Sequence, residues 1–278
     1  MKKYFKKKPL HDYKIIKPYG ILLNCDILKG FKNIKDDSVD LIITSPPYNV
    51  GIKYDNWNDK LSVKKYYKFV ALWLKECYRV LRDDGRIAIN IPLEVNMKEG
   101  EDSNRLFIVS DYWNIMDKIG FKWFGLARLQ ENAPHRVKYT AWGSYKSPSS
   151  PYIYNAEECV LLAYKNVKKK IKKGRTKITK EDFVKGVTGM WSYTAETHGL
   201  TMANFSLDIP FTAINMLSWE KDVVMDPFMG SGTTAVACIK TKRKFIGIEI
   251  SNNYFNVSIK RIDKFLYKKK IHSWWDEK

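Results

Sequence analysis

Residues 222–250 alternate in a way that leaves few folds open. Asp222-Val223-Val224-Met225-Asp226 is a short apolar run, Gly230-Ser231-Gly232 follows it, 232–240 reads as a helix, and 245–250 is a second apolar run. Strand, glycine turn, helix, strand is the βαβ unit of a mostly parallel sheet. The order recurs nearer the start of the chain. Residues 38–44 form an apolar run ended by Pro46 and Pro47, and 86–91 form another. Between them Val63, Tyr67, Val70, Leu74, Cys77 and Leu81 recur at helical spacing, and Asp83-Asp84-Gly85 supplies the expected stop. A chain of 278 residues with 45% hydrophobic content holds one large α/β domain, or one domain with an insertion.

The middle, about 95–205, is less regular. Residues 121–130 and 159–165 read as strands, 142–151 is turn-rich, and 165–175 is a dense basic run. Such a run is either a solvated loop or a phosphate-contacting surface. Residues 252–270 read as an amphipathic helix on Tyr254, Val257, Ile262, Phe265 and Leu266. The division is a basic, irregular segment 1–18, a first α/β half 19–100, a variable region 101–197 and a second α/β half 198–278.

The net charge of +19 favours a polyanionic partner, nucleic acid first. The surplus is carried by 40 Lys against 9 Arg, and AT-rich codon usage would produce the same bias. Cys25, Cys77, Cys159 and Cys238 are scattered, with no C-x-x-C pair and no histidine cluster beside them. That argues against a zinc site or disulfide framework, so no metal is expected, and it fits a reducing cytoplasm. The basic first residues lack a following apolar h-region, and no stretch is long and apolar enough to span a membrane.

Glycines at 230 and 232 let backbone approach a ligand closely. The helix that follows offers free N–H groups and a partial positive charge. These could face a pyrophosphate, an amino-acid carboxylate or a ribose edge. Glu249 ends the next strand, at the offset from which an acid reaches a ribose diol. A P-loop is disfavoured, because no lysine follows Gly232. The bland alternative is a structural glycine turn.

Ser45-Pro46-Pro47-Tyr48 lies just past a buried strand, at the carboxyl edge where open α/β sheets place ligands. The prolines stiffen the loop and remove two donors. Their carbonyls and the Ser45 oxygen would form a cluster of acceptors, suited to a planar group with an exocyclic NH₂, and the Tyr48 ring could stack on it. A base within a duplex would have to flip out to reach such a loop. The alternative is a proline-rich turn or a proline motif for a partner domain.

Together these residues resemble the β-class amino-methyltransferases of DNA, which modify cytosine N4 or adenine N6. The resemblance covers about 22–262. It implies a Rossmann-like class I methyltransferase sheet, mostly parallel with an antiparallel edge strand. It also implies a circularly permuted motif order, with the catalytic loop before the cofactor loop, and an inserted target-recognition region at 101–197. The implied cofactor is S-adenosylmethionine. Its implied contacts are Asp26, Phe205, Asp226, Phe228, Gly230, Ser231, Gly232, Thr233 and Glu249, with Ser45, Pro46, Pro47 and Tyr48 catalytic. Trp142-Gly143-Ser144 and Glu157 resemble a segment that follows the catalytic half. Residues 203–210 resemble the lead-in to the cofactor loop, and the family's His-Pro-Ala start is altered around His198.

A serine rather than an aspartate in the catalytic loop is associated with cytosine N4. The expectation is therefore a cytosine-N4 methyltransferase acting on double-stranded DNA in a restriction–modification system. The resemblance leaves open whether a cognate endonuclease exists, acting separately, and whether the chain pairs as a homodimer, as members of the family often do. An adenine-N6 enzyme, an RNA cytidine enzyme and a non-catalytic nucleic-acid module are the alternatives. Arg128, Arg136, Lys138, Trp142, Ser144 and Lys146 are the candidate DNA contacts, with the 165–175 run beside them.

Overall fold

The computed structural model describes residues 4–6, 12–99, 102–131, 157–194 and 205–276. The chain begins with β1 (Asp12–Ile16), β2 (Gly20–Asn24), α1 (Ile27–Asn33), β3 (Val39–Thr44), α2 (Val63–Val80) and β4 (Leu81–Pro92). The middle holds β5 (Val95–Glu99), β6 (Asp102–Leu106), α3 (Ile108–Ile119), β7 (Lys122–Glu131), β8 (Glu158–Tyr164), α4 (Lys180–Val187) and β9 (Met190–Tyr193). It closes with α5 (Asp208–Leu217), β10 (Val223–Asp226), α6 (Thr233–Lys240), β11 (Lys244–Glu249) and α7 (Asn252–Asp276).

Among the described residues nine strands form one sheet, in the order β1-β2-β11-β10-β3-β4-β8-β7-β9. The five from β2 to β4 are parallel, and β1 and β8 run against them. The expected α/β class, with its parallel sheet and antiparallel edge, is the class observed. Leu41, Ile42 and Ile43 of β3 are all fully buried, as a central strand covered on both faces requires. Ile42 faces a core with Phe31, Tyr66, Val70, Trp73 and Tyr112. Leu41 and Ile43 face a core with Ile209, Ile214, Val236 and Ile262. Helices α1 to α3 thus cover one face, and α5 to α7 the other.

Several expectations change. The first 18 residues are not wholly irregular: β1 pairs antiparallel with β2 along its whole length, and Phe5 is buried. Gly85 does not stop α2. The helix ends at Val80, where Leu81 turns extended and pairs with Val39, so β4 starts four residues before Gly85. Much of the interval 101–197 extends the same sheet through β7, β8 and β9, with α3 packed beneath. The 165–175 run sits at the amino ends of the parallel strands. There the Lys165 ammonium donates to Asp37 (2.7 Å) and the Leu81 carbonyl, and Lys170 donates to the Asp40 carbonyl. It serves that edge of the sheet, opposite the cleft described below.

The carboxyl ends of β2, β11, β10, β3 and β4 bring Asn24, Glu249, Asp226, Thr44 and Pro92 to one edge. The chain proceeds outward from β3 to β4 on one side and from β10 to β11 on the other. Neighbours β3 and β10 therefore flank a switch point, the crevice where such sheets take ligands.

Candidate active site

Both motif loops leave the sheet at that crevice. Thr44 Oγ1 donates to Asp226 Oδ1 at 2.7 Å and ties β3 to β10 beneath them. Thr234 Oγ1 of α6 donates to the other Asp226 oxygen at 2.5 Å, and the Phe228 N–H donates to Oδ1 at 3.0 Å. Burial raises the Asp226 carboxyl to about 6, against the pull of those three donors. Above the clamp opens a cleft of about 530 Å³.

One end of the cleft is built from β2, β11 and the glycine turn. Gly230 has φ +52, and a Cβ there would meet only the Phe228 carbonyl, at 3.9 Å, so it would project into the cleft. Glu249 reaches back across the turn. One of its oxygens accepts from the Gly230 N–H at 2.8 Å and the other from the Ser251 N–H at 2.8 Å. Burial raises its carboxyl to about 7 despite those bonds. Asp26 lines the cleft and caps α1, accepting from the Leu28 and Lys29 N–H groups through Oδ1. The Phe228 ring stands edge-on to Trp73 and Phe69, which fixes it as a cleft wall. This end offers a glycine cradle, a paired acid and apolar walls, which fits a nucleoside.

The other end is the Ser45 loop. Ser45 Oγ and Tyr48 Oη lie 2.7 Å apart. Tyr48 donates to the Asn90 carbonyl at 3.2 Å and accepts from Asn90 Nδ2 at 2.9 Å. Burial, then the negative charge of Glu158, pushes the Tyr48 hydroxyl well above its usual range, so it stays protonated. The Pro47 carbonyl accepts from Tyr66 Oη of α2 at 3.0 Å. It is turned into the core rather than outward, which corrects the expected acceptor cluster.

A segment that the sequence left unread covers the cleft between the two ends. Asp59, almost fully buried, accepts from the Asn49 N–H through one oxygen and from the Val50, Gly51 and Ile52 N–H groups through the other. Ser251 Oγ donates to Asp55 at 2.8 Å, which ties this segment to the end of β11. Tyr54, Asp55 and Trp57 consequently face the cleft.

The sequence profile of the N6/N4 methyltransferase family, described as DNA methylase, matches residues 39–260. The chain belongs to the DNA methylase family. Its cofactor is S-adenosylmethionine. The type II methyltransferase M.MjaVI of Methanocaldococcus jannaschii is 36% identical over 176 residues, covering 63% of this chain and 86% of the relative. Two solved structures share the fold. A Thermus thermophilus protein complexed with S-adenosyl-L-methionine superposes with a TM-score of 0.69 at 22% identity, over 88% of this chain and 93% of that one. The PvuII DNA methyltransferase, cytosine-N4-specific, gives 0.66 at 19% identity, over 92% and 89%.

The methylase brings most of the expected residues to one cleft. Ser45, Pro46, Pro47, Tyr48, Asp26, Phe205, Phe228, Gly230, Ser231, Thr233 and Glu249 all line it. Asp226 and Gly232 stand behind the wall instead. Asp226 is spent on the clamp, and Gly232 starts α6 at φ +83, where a Cβ would lie 3.0 Å from Ser258 Cβ of α7. The Ser231 and Thr233 hydroxyls accept from Arg261 of α7, which sequence reading missed. Arg128 lies at the cleft edge of β7, exposed, with a two-pronged pairing to Glu157 at 2.6 and 3.0 Å. Arg136, Lys138, Trp142, Ser144, Lys146 and His198 lie outside the described residues. Asn90, Glu158, Glu131 and Tyr193 line the cleft without having been singled out in the sequence. Only Asn90 carried a local signal, as a polar residue inside an apolar strand. No described helix is long and apolar enough to cross a membrane.

Proposed function

We propose that this DNA methylase methylates the exocyclic N4 amino group of cytosine, within a specific sequence of duplex DNA, as the protective half of a restriction–modification system. The observation that carries this reading is the hydrogen-bond polarity at Ser45. Tyr48 gives its one proton to the Asn90 carbonyl and receives one from Asn90 Nδ2. A hydroxyl oxygen has two lone pairs. The contact at 2.7 Å is therefore Ser45 donating to Tyr48. The lone pairs of Ser45 are left to accept an N–H from a base in the cleft.

Accepting that N–H orients the amino nitrogen toward the cofactor end. When bound, S-adenosylmethionine supplies a sulfonium methyl; the nitrogen lone pair forms the new N–C bond as the C–S electron pair returns to sulfur. The nitrogen is then cationic, and one of its protons leaves to solvent. Because Tyr48 stays protonated, it orients and does not act as a base. Ser45 and Pro46 provide position and dipole, which is the main requirement of such a transfer.

A serine in this loop supports cytosine over adenine. The cleft is enclosed by the loops at the carboxyl edge of the sheet, so a duplex base must flip to enter it. In this proposal Arg128, exposed on β7, reads the sequence together with Arg136, Lys138, Trp142, Ser144 and Lys146, which follow it in the chain. The enzyme works in the cytoplasm as a homodimer, beside a separate cognate endonuclease. The test is transfer of labelled methyl to unmodified genomic DNA, then nucleoside mass spectrometry. N4-methylcytosine is the expected product. N6-methyladenine alone would overturn the base assignment, and transfer to RNA but not DNA would overturn the substrate.

A further inference from the structure

The network behind Ser45 continues across the sheet. Asn90 of β4 pairs with Val160 of β8, and Pro92 pairs with Glu158. Side chains alternate along a strand, so Asn90 and Glu158 share a face as diagonal neighbours. Asn90 Nδ2 donates to Glu158 Oε2 at 2.5 Å and also to Tyr48 Oη. Asn90 is almost fully buried, and among the described residues its Oδ1 has no hydrogen-bond partner.

We infer that Glu158 is a positioning residue for methyl transfer: by holding the Asn90 amide in one orientation, it sets the direction in which Ser45 points its proton. This rests on the amino-group reading above and extends it to a residue two strands away from the catalytic loop.

The two ends of an asparagine amide are nearly the same shape, so sterics do not choose between them. Partners do. An ionised carboxylate only accepts, so Glu158 demands the NH₂ end. That choice leaves Oδ1 buried and without a partner among the described residues, a cost that the amide on its own would not favour. An unpaired buried acceptor in a native site is tolerated where the orientation is used. With Nδ2 toward Tyr48, the tyrosine oxygen is an acceptor on that side, its proton goes to the Asn90 carbonyl, and Ser45 must donate to it. With the amide reversed, Oδ1 would face Tyr48 and draw the phenolic proton. Ser45 would then be free to turn its proton into the cleft, against the N–H it has to accept. Tyr48 also feels the charge of Glu158 directly, which helps keep it protonated.

The test compares single-turnover methyl transfer, enzyme in excess over unmodified genomic DNA, for the native protein, Glu158→Leu, Glu158→Gln and the double exchange Asn90→Asp with Glu158→Gln. Affinity for S-adenosylmethionine is measured on each. The hydrogen-bond partners that orient metal ligands cost about 10–100-fold when removed, and the same scale is taken for a group that orients Ser45. Glu158→Leu is expected to lose rate by about that factor with cofactor affinity unchanged. Glu158→Gln, which can still offer an oxygen to Asn90, should lose less. The double exchange is the deciding variant. It restores a hydrogen bond between the two side chains but presents an oxygen to Tyr48, reversing the polarity. The inference expects it to fold, bind cofactor and remain slow.

Recovery of the native rate in the double exchange would show a strut without a polar role, and would overturn the inference. So would a native rate in Glu158→Leu, or loss of cofactor binding in step with rate in both single variants. If the native enzyme methylates adenine instead, the base assignment fails while this comparison still runs on the product formed.

Discussion

Replacing Glu249 by glutamine, and scanning pH with the native residue in place, probes the nucleoside end of the cleft. The Glu249 carboxyl lies at about 7 in the folded chain against 4.5 for an ordinary glutamate, chiefly because it is buried. Each unit corresponds to about 1.4 kcal/mol, so ionising it in the folded chain costs roughly 3 kcal/mol more than in the unfolded chain. An acid with a raised folded value loses its proton first in the unfolded state. Its contribution therefore makes the ligand-free protein less stable as pH rises from 4.5 to 7, with no further loss above. Hydroxyls donating from a ribose favour the ionised form, so binding pulls the carboxyl back down and releases a proton. Affinity for S-adenosylmethionine should rise with pH, by up to about tenfold per unit below 7, and level off above it.

Glutamine removes this dependence and adds a mismatch. Both carboxylate oxygens accept backbone N–H groups, from Gly230 and Ser251. Glutamine has one oxygen and one NH₂, so one N–H is left facing a donor. A hydrogen bond to a charged group is worth about 1.5–3 kcal/mol. The dissociation constant at pH 8 should accordingly rise by roughly 10–150-fold. Titration calorimetry from pH 5.5 to 8.5, in buffers of different ionisation heat, reads both the affinity and the proton released. A native affinity that is flat between pH 5.5 and 7, or a glutamine variant that binds as the native protein does, would refute the assigned contact and its linkage to ionisation.

Gly230→Ala should weaken cofactor binding at least tenfold and destabilise the chain by about 1–2 kcal/mol, because its φ of +52 is left-handed and its Cβ enters the cleft; urea denaturation and calorimetry separate the two effects. Asp59→Asn leaves N–H groups of 49–52 facing an NH₂, so stability should fall by about 1–3 kcal/mol and cofactor binding should weaken as the 49–61 segment loosens. Arg128→Ala should lower the slope of log affinity for DNA against log salt by about 0.9, the value for one lost phosphate contact. Lys172→Gln with Lys173→Gln, at the opposite sheet edge, should leave that slope unchanged, and a change there would place DNA on the wrong side of the sheet.

What the sequence made legible is what neighbouring residues decide among themselves. The runs at 38–44, 222–226 and 245–250 became β3, β10 and β11 because a strand buried on both faces needs apolar residues throughout. Four helices, α1, α3, α4 and α5, escaped notice, although in α3 and α5 the signals were local. Helix α3 buries Ile108, Val109, Tyr112 and Met116 and stops at Gly120 with φ +115, while α5 buries Ile209, Ala213, Ile214 and Leu217. Both lay within or beside an interval already set aside as variable, so their periodicity went unread. Gly85 misled for the opposite reason. Its local signal ends a helix, but the pairing of Leu81 with Val39, 42 positions away in sequence, takes the chain into a strand first.

The site divides along the same line. Ser45, Tyr48, Gly230 and Glu249 are visible because a strand end and its turn carry each of them in a few consecutive residues. Glu158 was invisible because nothing near it in sequence marks it. Its hydrogen bond to the network behind Ser45 goes to Asn90, 68 positions earlier, and the two meet through the antiparallel register of β4 with β8. Register also explains why Asp226 was assigned to the ligand and found in the clamp. Its place in the motif is that of a ligand contact, but in the sheet β10 lies beside β3, and Thr44 reaches its carboxylate first. A residue at a strand end is thus shared between the ligand above and the neighbouring strand beside it, and the strand order decides which of them it serves. By that reasoning Thr44→Val should disturb Asp226 before it disturbs anything bound in the cleft. Cofactor affinity should change little while unfolding stability falls, and a variant that lost affinity at full stability would return Asp226 to the ligand.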